Sequence, residues 1–227
     1  MNPLWLSLLS GLVGAMLAVA GGVLGAWYTN RLKRKREREN LVKDVLAWAE
    51  RGRIDNFRHA DLRGADLRGA VLGPALGQDQ GADFSYADLR KANLEGAQLQ
   101  KAILAGADLS EAGLVGARLS GADLRRAGLQ GAHLVIADLQ GANLAHAALQ
   151  EAVLAGANLQ GADLQHADLR RANLTDANLE SANLEGAALR STHLRYARLR
   201  GARVDGEQLD KAASLEGAIL PDGSRHP

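Results

Sequence analysis

Ala107-Asp108-Leu109-Ser110-Glu111 and Ala172-Asn173-Leu174-Thr175-Asp176 are two copies of one five-residue unit, and its period decides the fold. From Phe84 to Val204 the unit recurs 25 times without a slip. The central position is Leu in 23 copies, with Phe84 and Val204 the exceptions. The position two before it is Ala in 24, with Thr192 the exception. Four earlier units centre on Phe57, Leu62, Leu67 and Leu72. On an α-helix a five-residue step advances about 500°, so the leucines would spiral over every face. In a flat strand an odd spacing sends them to alternate faces. Only a chain that turns once per unit keeps every Leu and Ala on one inside, which predicts a solenoid. Aromatic content of 4% agrees, because a core of Ala and Leu needs many closely stacked, near-identical layers.

The A-(D/N)-L-X-X pattern resembles the pentapeptide-repeat proteins over roughly residues 54 to 220. The resemblance implies an all-β solenoid, a right-handed quadrilateral β-helix in which four units make one coil. The last two positions of each unit would form the turn. Gly holds the final position in 11 of the 25 units, as a type II turn with positive φ at its third residue would favour. With coils about 4.8 Å apart, some seven coils make a rod of roughly 35 Å.

The expected domains are a transmembrane helix (1–30), a basic segment with an amphipathic capping helix (31–53), the β-helix (54–204) and a C-terminal cap and tail (205–227). Leu72 and Phe84 stand further apart than successive centres, so 73–81 is predicted as a loop or distorted repeat. Such loops carry function in many rigid scaffolds. Gly206 to Ala212 also loses the pattern, and Leu215 to Leu220 is expected to close the far end.

Leu4 to Tyr28 contains no charged residue and is long enough for a bilayer-crossing helix, which needs about 20 residues. Trp5 stands near one end and Trp27 and Tyr28 at the other, where an aromatic belt would lie. Arg31, Lys33, Arg34, Lys35 and Arg36 follow at once. They predict a cytoplasmic C-terminal side, an external N-terminus and contact with anionic headgroups, in a bacterial plasma membrane or a thylakoid. Ala18-Val19-Ala20 has the form of a signal cleavage site. A secretory signal, however, carries its basic residues ahead of a shorter apolar run. Gly11, Ala15, Ala18, Gly22, Gly25 and Ala26 are small residues at helical spacing, suited to packing against another membrane helix. Leu41, Val42, Val45, Leu46, Trp48 and Ala49 mark the apolar face of the helix predicted over 40–51, expected to cover the first coil.

No catalytic constellation is present: no P-loop, dinucleotide fingerprint, HExxH or G-x-S-x-G. The absence of cysteine removes disulfides, thiolate metal sites and a thiol nucleophile together. The Asp residues recur in every coil as repeat positions suited to bonding nearby backbone, so none is singled out as an acid or base. His146 and His166 stand one coil apart with Asp163 nearby, and are expected to stack as a solvated pair rather than bind metal. The prediction is thus a non-enzyme without cofactor.

The four-unit register turns outward positions into columns. One column runs Glu95, Val115, Val135, Ala155, Thr175, Arg195, with Ile136 and Val153 beside it. Apolar residues at successive outward positions predict a contact face for a protein partner or a second copy. The function expected is a membrane-tethered binding scaffold, or an accessory subunit of a larger membrane complex. Some pentapeptide-repeat proteins mimic DNA and protect topoisomerase, which is the other reading the resemblance opens. A mimic needs a strong negative field. Residues 57 to 204 hold 16 basic and 16 acidic side chains, and no nucleic-acid partner is expected either.

Overall fold

A computed structural model describes residues 30–47, 49, 56–74 and 79–227. The chain divides into two compact units, Met1–Leu41 and Val42–Pro227. In the described part, 30–47 is one helix, α1, so the basic segment is helical and continuous with the predicted amphipathic stretch. Lys33 and Glu37, and Lys35 and Glu39, pair one turn apart on its exposed surface. Within the second unit Val45 is fully buried. Val42, Leu46 and Ala49 are half-buried, as an i, i+3, i+4 face predicts. No described helix is long and apolar enough to cross a membrane. The span at 4–28 and the helix-packing residues Gly11, Ala15, Ala18, Gly22, Gly25 and Ala26 lie outside the described residues.

From Asn56 onward the chain is a four-sided stack of coils. From Asp83 to Asn183, each residue just before a repeat centre bridges in parallel to its counterpart four units later, as in Asp88 to Asp108 and His133 to Val153. Three backbone bonds per unit join neighbouring coils: Leu89 N to Asp108 O at 2.7 Å, Asp108 N to Ala87 O at 2.9 Å, and Lys91 N to Ser110 O at 3.0 Å. A fourth, Ala92 N to Leu89 O at 3.0 Å, closes the turn. Between residues 82 and 202 every inner Ala position and every centre up to Leu199 is buried, including Thr192. The Thr192 hydroxyl donates to the Leu169 carbonyl at 2.8 Å, which satisfies it inside an apolar core. Phe57 and Phe84 stack at 5.1 Å and fill the first two layers.

The final turn position has positive φ almost throughout the stack, on Gly and on fifteen other residues alike. Glycine therefore eases the turn without being required by it. At the position before the centre, Asp or Asn accepts the N–H two residues on. Examples are Ser110 N to Asp108 Oδ1 at 3.0 Å and Thr175 N to Asn173 Oδ1 at 3.0 Å. That N–H takes no part in the ladder, so the side chain supplies the acceptor that secondary structure does not.

Two irregularities interrupt the period. Bridges from the first coil, such as Asp61 to Asp88, reach further along the chain than the regular Asp88 to Asp108 step, and the excess is seven residues. Of the predicted loop at 73–81, residues 75–78 lie outside the described residues; the Ala82 N–H bonds the Leu72 carbonyl at 2.9 Å across the insertion. At the other end the ladder does not stop at Val204. His193 bridges Ser214 and Arg198 bridges Ile219, each one residue longer than the regular step. The extra residue is gained around α2, Gly206–Leu209. The stretch expected to be only cap and tail thus holds two more wall segments, centred on Leu215 and Leu220. Arg225 then pairs antiparallel with Ile219, and the tail covers the last sheet edge.

Candidate protein-contact face

Four outward walls surround the core, and one of them carries the predicted contact column of Val115, Val135 and Ala155. On this wall the position before the centre runs Asp66, Asn93, Gly113, His133, Val153, Asn173, His193, Ser214 through the ladder. Asn93 and Asn173 accept the N–H of Glu95 and Thr175. Gly113, His133 and Val153 stand between them in three successive coils, and Gly113 and Val153 offer no side-chain acceptor at all. Sequence reasoning passed over Gly113 and His133. The same loss occurs at Gly128 and Ala148 and at Gln98 and Arg118 on other walls, so the apolar column rather than the lost acceptor distinguishes this wall.

Val115, Val135 and Ala155 stack in one column, joined by Gly116 N to Val135 O and Ile136 N to Ala155 O, each at 3.0 Å. All three are half-buried, as is Val153 in the neighbouring column. Ile136 is 64% exposed and has φ of 52°. A β-branched residue in that conformation is a steric outlier. Its Cγ2 stands 3.4 Å from the point where a β-carbon on Gly156 would lie. The five predicted residues are therefore brought together as one apolar patch flanked by Gly116 and Gly156.

The other walls carry charged and amide side chains beside scattered apolar ones such as Val71 and Ile103. Arg90 bonds Asp88 through Nε at 2.9 Å and Nη2 at 2.6 Å. The same fork joins Arg125 to Asp123 and Arg170 to Asp168. Hydrogen bonding from these guanidiniums holds the Asp88, Asp123 and Asp168 carboxyls below their ordinary range. Asp138, Asn158 and Asn178 form a side-chain ladder along another wall. His146 and His166 stack with ring centroids 5.1 Å apart. Among the described residues no three groups gather as a metal site. Arg31, Lys33, Arg34, Lys35 and Arg36 are exposed on α1.

The sequence profile of pentapeptide repeats matches residues 56–72, 80–112, 102–135, 137–176 and 172–206. The chain belongs to the pentapeptide-repeat family. Its stacked coils are accordingly a right-handed β-helix. The chain is similar to HetL, a pentapeptide-repeat protein involved in heterocyst differentiation regulation in the cyanobacterium Nostoc sp. strain PCC 7120. The two are 35% identical over 80% of this chain and 98% of that one, with a TM-score of 0.32. It is also similar to full-length QnrB1, a plasmid-mediated fluoroquinolone resistance protein, at 19% identity over 72% of this chain and 80% of that one, TM-score 0.38. A third is a pentapeptide-repeat protein of the Arabidopsis thaliana thylakoid lumen, at 24% identity over 70% of this chain and 75% of that one, TM-score 0.34. Comparison with curated proteins returns no match.

Proposed function

We propose that this pentapeptide-repeat protein is a non-catalytic binding scaffold, tethered to a membrane through residues 4–28, that meets a protein partner through the wall centred on Val135. The observation that carries the contact reading is Ile136, an exposed β-branched side chain in a left-handed turn at the centre of an apolar patch. The ladder imposes the turn, but packing of the core does not call for a large apolar side chain at this exposed position. The tether rests on the uncharged run Leu4 to Tyr28 and the basic residues that follow.

A DNA mimic would need an unneutralised acidic lattice. Here Asp61, Asp66, Asp88, Asp123 and Asp168 each face an Arg of their own unit, which supports the protein-binding reading instead.

The test uses full-length protein in its native membranes. The chain is expected to stay with the membrane after alkaline carbonate extraction, and its release would overturn the tether. In mild detergent, Val115→Lys with Val135→Lys is expected to lower partner capture at least tenfold while leaving the circular dichroism and melting of the rod unchanged. Unchanged capture would overturn the contact face.

A further inference from the structure

We propose that the occupant of the Val135 wall is a second copy of this chain, docked antiparallel; the proposal rests on the contact-face reading above. The middle column of the wall spans eight layers through the ladder, from Arg68 in the first to Glu216 in the last. A two-fold axis lying in the interface, across the rods and between Val135 and Ala155, pairs each layer with its mirror count from the other end. Arg68 then faces the second copy's Glu216, and Glu95 faces the second copy's Arg195. Within one chain Arg195 already holds Glu216 at 2.8 Å, so each end of the contact becomes a checkerboard of four alternating charges. Between the two ends Val135 meets Ala155 and Val115 meets Thr175, two pairs of a branched side chain against a smaller or equal one.

The corner column has complementary sizes under the same operation. Tyr196, which lies over Gly217 in its own chain, falls on the second copy's Gly96, and Ile136, which lies over Gly156 in its own chain, faces the same pair in the second copy. Glycine leaves open space at Gly96, where a β-carbon would touch nothing within 4 Å.

The pattern selects the orientation and disfavours the adjoining wall. Were the two rods parallel, Glu95 would face Glu95 and Arg195 would face Arg195. On the adjoining wall, whose outward column includes Arg90 and Arg190, the antiparallel operation sets Arg90 against the second copy's Arg190. Only isologous contacts place a patch against itself, so self-complementarity of this kind is what a two-fold interface requires.

Because the chain has no cysteine, single cysteines report the geometry directly. Differently tagged full-length copies carrying Val115→Cys and Thr175→Cys are mixed in mild detergent and oxidised. The antiparallel pair brings these positions face to face, and a disulfide joining the two tags is expected. In a parallel pair they stand three layers apart, about 14 Å, beyond the reach of a disulfide. Absence of the mixed disulfide, or disulfide dimers from Val115→Cys alone, would overturn the proposal. Sedimentation of the cysteine-free full chain gives a second readout. Ile136→Lys is expected to weaken self-association at least tenfold, and an unchanged constant would also overturn it. Loss of partner capture in the Val115→Lys, Val135→Lys protein without any mixed disulfide would reject the second copy yet leave the contact face standing.

Discussion

The ring of Tyr86 lies over Gly106, with Cδ1 and Cε1 both 2.7 Å from the point where a β-carbon on Gly106 would stand. On its other side the ring stacks on His59 at 5.3 Å. Gly106→Ala would push the ring off and break this stack. Gly96, with nearly the same φ, has open space around it. Each alanine costs about 1–2 kcal/mol for the left-handed turn, and only Gly106→Ala adds the displaced ring. Chemical denaturation is expected to rank Gly106→Ala clearly below Gly96→Ala. Equal stabilities would show that the tyrosine swings away freely.

Gly81 closes the inserted loop against backbone alone. A β-carbon there would lie 2.8 Å from Gln100 O, 2.9 Å from Leu72 O and 3.0 Å from the Ala102 Cα. No rotamer change relieves such contacts. Gly81→Ala is expected to cost about 1–3 kcal/mol, the usual range for overpacking. Amide exchange should quicken selectively over residues 56–72, the coil that this junction attaches to the stack. Uniform exchange along the rod would show that the loop relaxes without disturbing that coil.

Gln208 stands in for a missing coil. Its amide nitrogen donates to Leu184 O and to Ala187 O, both at 2.8 Å. One coil earlier the corresponding acceptor, Ala167 O, receives the backbone N–H of Ala188. The rest of Gln208 completes a capping box with Asp205. Gln208→Leu would leave buried carbonyls without this donor, at about 1–3 kcal/mol. A melting curve unchanged by the substitution would contradict this role.

Stability should hold from neutral pH down to about 4 and fall below that. The Asp88, Asp123 and Asp168 carboxyls are depressed in the folded chain by their arginines. A depressed folded pKa stabilises above the unfolded value and is lost as pH falls through the folded one. Urea midpoints at pH 7, 4 and 2.5 check the sign. These pairs are partly exposed, so salt should shrink the effect. A midpoint that rises on acidification would mean that other groups control the acid limb.

The solenoid was legible because the unit divides the coil evenly: Leu109 and Leu129 must occupy the same inside, and Val115 and Val135 the same outside. Less legible was the far end. One residue gained at α2 hides the alignment of Leu215 and Leu220 with the earlier centres, although both Leu positions are plain in the sequence. The left-handed turn at Ile136 was not readable either. Residue type argues against it, and only the ladder bonds on both sides impose it. The contact column was readable from its outward valines, whereas the loss of the turn acceptor at Gly113, His133 and Val153 does not mark this wall, because Gly128 and Ala148 lose it on another.

The register gives the rod a phase as well as a length. Removing four whole units, such as 117–136, takes out one layer and leaves every later side chain on the wall it had before. Removing a single unit takes out no layer. It turns all that follows by a quarter, so that Val135 and Ala155 would point along a different wall from Glu95. Insertions and deletions in this chain therefore act as rotations, and a surface on it persists only through changes counted in whole circuits.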